Sequence, residues 1–395
     1  MKEPATLVLK SGKDQSLRRY HPWVFSGAIK KIYDQPDEGA LVRVCDNKDE
    51  LLATGHYQEG SIAVRVLTFG EEPVDEGFWS DRIRRAWKLR RELGPASRED
   101  TQIFRLINAE GDGLPGLIAD YYNGALVLQM HSLGMLRNLQ EIADALQQLD
   151  GLHLDTLYNR SENTLPRRDG QVITDHFITG ERSSGVGTEY GARFRVNWVG
   201  GQKTGFFIDQ RENRALLERY AEGRRVLNMF GFSGGFSVYA LRGGAALVDS
   251  VDSSARAIEL TRENVELNTP GTTRHRSFTA DAFTYLEEMN QEYDLIVLDP
   301  PAFAKHQRVV NNALQGYKRL NQKALEKIAP GGILFTFSCS QAVSREQFRK
   351  SVFAASANSG RRVQVLHQLT QPVDHPVSIY HPEGEYLKGL VLRVE

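Results

Sequence analysis

From about residue 200 onward, strand-sized apolar runs alternate with helix-sized amphipathic segments. The runs are Arg225–Phe230, Ala246–Val251, Tyr293–Leu298 and Gly332–Phe337. Between and after them lie helical stretches at Gly235–Leu241, Ala255–Asn268, Phe283–Met289 and Ala313–Ile328. Strands separated by helices cannot pair as tight hairpins, because each connection is a crossover. The alternation therefore predicts an α/β fold, a parallel sheet with helices on both faces.

The preceding 200 residues read differently. Leu7–Leu9, Ala40–Val44, Leu51–Thr54 and Ile62–Leu67 are short apolar or alternating runs between turn residues, which predicts a small β-barrel over residues 1–72. The Pro- and acid-rich Gly70–Asp75 marks its end. Phe78–Leu93 reads as a helix with Phe78, Ile83, Trp87 and Leu89 on its apolar side. Strands near Ala125–Met130 and Thr156–Asn159, with a helix at Leu136–Leu149, complete an α+β middle domain over 73–190. The α/β domain then takes 191–395.

Charge and cysteine content narrow the function. The 395 residues carry 49 Lys and Arg against 50 Asp and Glu, so a uniformly basic nucleic-acid binder is excluded and any such binding needs local patches. Two patches exist. Leu17–Lys31 holds Arg18, Arg19, Lys30 and Lys31 without an acid, interleaved with His21, Trp23 and Phe25. Guanidinium groups meeting phosphates and rings stacking on unpaired bases suit RNA, although buried aromatics beside solvated arginines explain the pattern equally. The second patch is Arg82, Arg84, Arg85, Lys88, Arg90 and Arg91 on the 78–93 helix, whose alternative is an ordinary solvated face. Cys45 and Cys339 are the only cysteines, too few for a disulfide framework or a four-cysteine zinc site, and no structural metal is expected. No run approaches the ~18 apolar residues of a membrane span. Met1-Lys2-Glu3-Pro4-Ala5 lacks the apolar core of a signal peptide, so a cytoplasmic protein is expected.

The chemistry concentrates at the predicted strand ends. Arg225–Phe230 runs into Gly231-Phe232-Ser233-Gly234-Gly235, a strand–turn–helix that brings backbone N–H groups close to a ligand. Ser233 interrupts the G-x-G-x-x-G spacing, which argues against a dinucleotide. Asp252 ends the next strand, 21 residues after Gly231, where a carboxylate can accept ribose hydroxyls. Asp281 falls after the third strand, suited to an adenine amino group. Three such positions in order point to an adenosyl ligand. The fourth strand ends in Asp299-Pro300-Pro301 and the fifth in Ser338-Cys339-Ser340, so adjacent strands should bring Asp299 and Cys339 to neighbouring loop tips. A cysteine past a strand end, flanked by serines and facing an acid, reads as a nucleophile rather than as packing. Cys45 has no such partner.

Asp299-Pro300-Pro301, Phe337-Ser338-Cys339-Ser340 and Gly205-Phe206-Phe207-Ile208-Asp209-Gln210-Arg211 together resemble the bacterial 23S rRNA cytosine-5 methyltransferase I family. His21-Pro22-Trp23-Val24-Phe25-Ser26-Gly27, Asp374-His375-Pro376, Pro382-Glu383-Gly384 and Tyr386-Leu387-Lys388-Gly389 extend the resemblance over the whole chain. It implies an N-terminal RNA-binding PUA domain, a middle domain, a β-hairpin, and a Rossmann-like domain using S-adenosylmethionine. It also implies 23S rRNA or a large-subunit precursor as partner, with a homodimer as a family expectation. Phe230, Gly231, Ser233, Gly234, Gly235, Asp252, Asp281 and Pro300 become cofactor candidates, with Gln210 and Arg211 closing the pocket; Phe206 and Phe207 read as packing. Cys339 and Asp299 become catalytic candidates, and Arg18, Arg19, His21, Trp23, Arg82 and Arg85 RNA-binding ones. Met229 and Ser233 stand where relatives often have cysteine and threonine, and Ala302 where two-cysteine RNA methyltransferases carry their second cysteine. The base that removes the C5 proton therefore has no assignment. Uridine-5 methylation, amine methylation and a non-catalytic rRNA-binding assembly factor are the rival readings.

Overall fold

The computed structural model describes residues 4–165, 172–290, 292–304 and 306–395. The opening Met1-Lys2-Glu3 and residues 166–171 of the middle region lie outside them. The chain divides into two compact units. One comprises Met1–Gly185, Asn197–Gly205 and Val373–Gly384; the other comprises Val186–Val196, Phe206–Pro372 and Glu385–Glu395.

The first unit opens with strands β1 (Ala5–Leu9), β2 (Trp23–Phe25), β3 (Ile29–Ile32), β4 (Leu41–Cys45), β5 (Leu51–Tyr57) and β6 (Ile62–Phe69), with the single-turn helix α1 (Gln15–Arg18) between β1 and β2. Their order is β2-β6-β5-β4-β1-β3. The two edge strands, β2 and β3, are joined by only Ser26–Ala28, so the sheet must curl to bring its edges near each other. Alternation sorts its faces: Val42 and Val44 enter a core with Leu7, Leu9, Val64 and Val66, while Arg43 faces out. Gly55 sits at a register shift where an added Cβ would lie 2.3 Å from the Arg65 carbonyl oxygen, so no larger residue fits.

Helix α2 (Phe78–Glu92) follows, then β7 (Ile103–Asn108), β8 (Leu117–Tyr122), β9 (Ala125–Met130), helices α3 (Leu133–Arg137) and α4 (Leu139–Gln147), β10 (Thr156–Asn159) and β11 (His176–Thr179). These five strands form a second sheet, β11-β10-β9-β8-β7. Phe78, Trp79, Ile83, Ala86 and Trp87 of α2 pack on it through Phe104 and Leu106, and Leu89 is half-buried. The helix expected over Leu136–Leu149 starts earlier and breaks at Asn138. Ser132 caps α3 by accepting from Met135 N, and the Asn138 amide donates back to the Gly134 carbonyl (2.7 Å), ending the first segment.

The basic face of α2 is also not uniform. Arg90 is fully buried: its guanidinium makes a bidentate pair with Asp112 (2.6 and 2.7 Å) and donates to the carbonyls of Arg105 and Asp374. Sequence counts it among the surface cations because Asp112 lies 22 residues and Asp374 lies 284 residues away.

The second unit carries most of a two-stranded hairpin, β12 (Ser184–Glu189) and β13 (Ala192–Asn197), and then helix α5 (Arg211–Glu218). Buried Glu189 accepts from both ends of the Arg214 guanidinium (2.9 and 2.7 Å) and from the Tyr239 hydroxyl (3.0 Å), which staples the hairpin to α5 and to the helix beyond it. Next come β14 (Arg225–Met229), α6 (Gly235–Arg242), β15 (Leu247–Asp252), α7 (Ala255–Asn268), β16 (His275–Thr279), α8 (Ala282–Glu288), β17 (Leu295–Leu298), α9 (Val310–Lys327), β18 (Gly332–Ser338), α10 (Arg345–Ser359), β19 (Val363–Leu369) and β20 (Lys388–Val394).

The sheet order is β16-β15-β14-β17-β18-β20-β19. The first five strands are parallel, as the alternation predicts, and β20 and β19 are added antiparallel. Leu227, Met229, Ile296 and Leu334 meet α8, α9 and α10 on one face. Asn228 points the other way and donates to Ser237 of α6 (2.8 Å), so helices cover both faces. The chain reverses direction across the sheet at β14, and the switch point opens a crevice at the C-terminal strand ends. No helix among the described residues is long and apolar enough to cross a membrane.

Two outcomes follow from the burial. Arg90→Met leaves Asp112 without its buried partner and should cost about 3–5 kcal/mol in denaturant unfolding; a loss below about 1 kcal/mol contradicts the buried pair. Buried His56 is held down to about 4, first by burial and then by Arg137 and Arg65. The unfolded chain, near 6.5, takes up that proton first, so the contribution of His56 is intact above pH 6.5 and lost as pH falls towards 4. His56→Gln should therefore flatten the decline of melting temperature across that window.

Candidate functional site

The loop after β14 is bent by its backbone. Phe230 and Phe232 adopt left-handed φ values of 60° and 46°, and Gly234 has a φ of 72°. Non-glycine residues hold such angles only when their surroundings impose them. Here Asp252, at the end of β15, accepts from Phe232 N through Oδ2 (3.0 Å) and from Ser254 N through Oδ1 (2.9 Å). Asn264 and Thr261 of α7 donate to the Ser233 and Phe232 carbonyls.

The glycines have separate reasons. A Cβ on Gly234 would lie 2.8 Å from Thr261 Cγ2, and one on Gly235 would lie 2.9 Å from Arg214 Cδ. Both are needed for helix packing. Gly231 is buried too, but a Cβ there would meet only ordinary contacts, the nearest Asn228 Nδ2 at 3.5 Å, so of the three it alone has no steric need to be glycine.

Asp281 caps α8, its Oδ1 accepting from Phe283 N and Thr284 N; its Oδ2 accepts nothing among the described residues. Ala280 N donates to the Asp252 carbonyl (3.0 Å), tying the ends of β15 and β16 together. Each Asp252 oxygen has one acceptor position left after its backbone bond, and Asp281 has a whole exposed oxygen. That donor-seeking pair suits a ligand with vicinal hydroxyls and an amino group.

Asp299 follows β17 and Cys339 follows β18. These two strands pair in parallel with Leu298 opposite Thr336, so their following loops are neighbours. Cys339 Sγ lies 3.8 Å from the Pro300 carbonyl and is half-buried. Gln210 Nε2 donates to Asp299 Oδ1 (3.0 Å), and Asn213 holds the Gln210 carbonyl oxygen (2.6 Å). Gln210, expected to help close the cofactor pocket, bonds this acid. Arg211 is fully buried with its guanidinium 5.7 Å from the centre of the Tyr190 ring. Phe206 packs on Phe194, while Phe207 meets Phe232 of the glycine loop edge-on.

The loop carrying Cys339 is strapped from three sides. Ser340 Oγ accepts from Ala304 N and meets the Tyr317 hydroxyl at 2.8 Å. The Lys388 ammonium donates to the carbonyls of Ser340 (2.7 Å) and Val343 (2.6 Å). Asn213, Tyr317 and Lys388 were given no site role from sequence. Lys388 left one signal, a cation opening a strand that is apolar from Gly389 to Leu392.

The RNA candidates lie in the first unit. Arg18 is engaged by Asp14, Asp46 and Glu50 at 2.6–2.9 Å, acids that the local sequence between Leu17 and Lys31 does not contain. Arg19 and Arg85 are exposed. His21 packs edge-on against Trp23, and the Trp23 indole donates to Glu110 (2.8 Å) while half-buried. Arg82 reaches Glu72 and the Leu67 carbonyl. Tyr20 and Tyr380 line a 310 Å³ cavity together with Phe69 and Arg82. Among the described residues no cluster of three or more His, Cys, Asp or Glu is placed to hold a metal.

Comparison with known proteins matches this architecture. A family model described as S-adenosylmethionine-dependent methyltransferase matches residues 105–382, and one described as a PUA-like domain matches residues 7–69. Ribosomal RNA large subunit methyltransferase I from Tolumonas auensis is 41% identical, covering 98% of this chain and 99% of that protein. The protein of that name from Salmonella gallinarum is 38% identical, covering 98% and 97%. Among solved structures, an S-adenosylmethionine-dependent methyltransferase from Streptococcus mutans superposes with a TM-score of 0.84 at 22% identity, over 98% of this chain and 100% of that one. A methyltransferase complexed with SAH gives 0.85 at the same identity and coverage. The two structures share the fold, and the chain itself belongs to the S-adenosylmethionine-dependent methyltransferases, in the family of ribosomal RNA large subunit methyltransferase I.

Proposed function

We propose that this protein methylates C5 of a cytosine in 23S rRNA, in the cytoplasm, through a transient covalent bond between Cys339 and C6 of the base. The observation that carries the reading is the placement of Cys339 Sγ 3.8 Å from the Pro300 carbonyl, one residue from Asp299, at the open ends of β17 and β18. The names of the full-length relatives support a large-subunit rRNA substrate.

S-adenosylmethionine, when bound, supplies an electrophilic methyl group. Asp252 would accept its ribose hydroxyls and Asp281 its adenine amino group, with the Phe230–Gly231 turn and buried Pro300 bounding the crevice. Cytosine C5 is a weak nucleophile until a thiolate adds at C6. Cys339 would form the S–C6 bond, and the displaced C5–C6 electron pair would make the new bond from C5 to the methyl carbon as that carbon's bond to the sulfonium sulfur breaks, its electron pair staying on sulfur. Asp299, aimed by Gln210, hydrogen-bonds the N3/N4 edge and stabilises the charge that develops on the ring. Loss of the C5 proton restores the double bond and expels Cys339 as thiolate. The base must leave its stack to enter such a crevice, which favours single-stranded or partly unfolded rRNA. Arg19 and Arg85, exposed, and Arg82, beside the Tyr20–Tyr380 cavity, are the stronger candidates for flanking phosphates and bases; Arg18 is already engaged by carboxylates, and His21 and Trp23 serve mainly to shape that face.

Incubation with methyl-labelled S-adenosylmethionine and unmodified large-subunit rRNA should yield labelled 5-methylcytidine. Cys339→Ala should abolish it while leaving cofactor affinity within about twofold, since the thiol is assigned to the base; labelled product retained by that variant would sink the covalent route. An N-methyl product would demote Cys339 to structure, and 5-methyluridine would change the base but keep the thiol. Asp252→Ala should weaken cofactor binding by calorimetry by about 2 kcal/mol, near thirtyfold, through lost charged hydrogen bonds and a loosened Phe232 turn. Unchanged affinity contradicts the ribose assignment.

A further inference from the structure

We propose that Lys388 is the built-in counter-cation of Cys339, a positioning residue that holds the nucleophile as thiolate; this rests on the reading of Cys339 as the nucleophile. Antiparallel pairing sets Lys388 opposite Ser338, the last residue of β18, so it sits at the strand end from which the Cys339 loop departs. Lys388 is only 4% exposed. Its ammonium donates to two backbone carbonyls, those of Ser340 and Val343, both just beyond Cys339. Among the described residues no carboxylate lies within ion-pair distance of it. A buried ammonium with only carbonyl partners is costly, and chains keep such a charge where an anion is to be formed nearby.

The surrounding charges leave Cys339 as that anion. Arg345 and Glu385 both act on Lys388, in opposite directions, and face each other at 3.8 Å, so as a pair they add little net field. Tyr317, whose hydroxyl meets Ser340, is pushed up by burial and stays neutral near pH 7. Asp299, on the adjoining loop and held by Gln210, opposes a thiolate, which makes a compensating cation necessary. Burial pulls the Lys388 ammonium down to about 8, whereas Cys339 acts to hold it up, the reciprocal of a cation favouring the thiolate. An ordinary thiol near 8.5 is only a few per cent ionised at pH 7, so a neighbouring fixed charge multiplies the reactive fraction.

The test is the pH dependence of iodoacetamide alkylation, resolved by peptide mass spectrometry so that Cys339 and Cys45 are read separately. Wild-type Cys339 should show a midpoint at least one unit below ~8.5. Lys388→Gln keeps amide donors for the two carbonyls but removes the charge; it should raise the midpoint by one unit or more and slow alkylation about tenfold at pH 7. Lys388→Arg should restore most of the wild-type midpoint, and Cys45, in the other unit, should be unaffected throughout. An identical midpoint in wild type and Lys388→Gln, or rescue by Gln as complete as by Arg, overturns the proposal. Should Lys388→Gln fail to fold, the decision passes to wild type and Lys388→Arg: two low midpoints support the cation, and a wild-type midpoint at or above ~8.5 overturns it. A low, Lys388-dependent midpoint in an enzyme that makes no 5-methylcytidine would leave this assignment standing and remove the proposed reaction instead.

Discussion

The parallel pairing of β17 with β18 is the contact on which the candidate chemistry depends. Because both strands run the same way and pair residue by residue from Leu295↔Ile333 to Leu298↔Thr336, their C-terminal ends open on the same edge of the sheet, β18 running two residues further. Asp299 and Cys339 are the first and third residues past that shared register. The five-stranded parallel core sets the crevice, and β20 adds the remaining element by running back along β18 to deliver Lys388 to the same end. A slip of one residue in either pairing would turn the affected strand's side chains to the opposite face.

Around that pairing, most of the polar interior works to fix backbone rather than to face a ligand. Asp252 holds Phe232 in a left-handed turn, Asn264 holds the next carbonyl, Ser340 Oγ holds Ala304, and Gln210 is itself held by Asn213. The site is thereby preorganised: both oxygens of Asp252, assigned to ribose, and Oδ1 of Asp299, assigned to the target base, are already bonded by the protein. Preorganisation of this kind reduces what binding must spend on ordering groups.

What could be read from sequence was what local pattern carries. The strand–helix alternation, the Asp252, Asp281 and Asp299 positions at strand ends, and the helix Ala255–Asn268 depend on neighbours within a few residues, and they match the structure closely. What could not be read depends on partners far along the chain. Arg90 looks like a surface cation until Asp112 and Asp374 fold around it. Arg18 gains Asp46 and Glu50 only when the turn between β4 and β5 folds against it. The antiparallel β19 and β20, which close the sheet, are separated by a segment that returns to the first unit, so no local hairpin signal announces them. The glycine turn was legible as a motif but not in its division of labour, since only the fold shows that Gly234 and Gly235 serve close helix contacts while Gly231 makes only ordinary ones.

The covalent bond between Cys339 and the base is the central claim, and trapping it is the most direct test. An rRNA fragment carrying 5-fluorocytidine accepts thiolate addition at C6 and the methyl group at C5, but fluorine cannot leave as the proton does, so Cys339 stays attached. Incubation with S-adenosylmethionine, nuclease digestion and peptide mass spectrometry should find one methylated fluoronucleotide on the peptide containing Cys339. Methylated fluoro-RNA released from unmodified protein, or an adduct on Cys45 alone, contradicts the account.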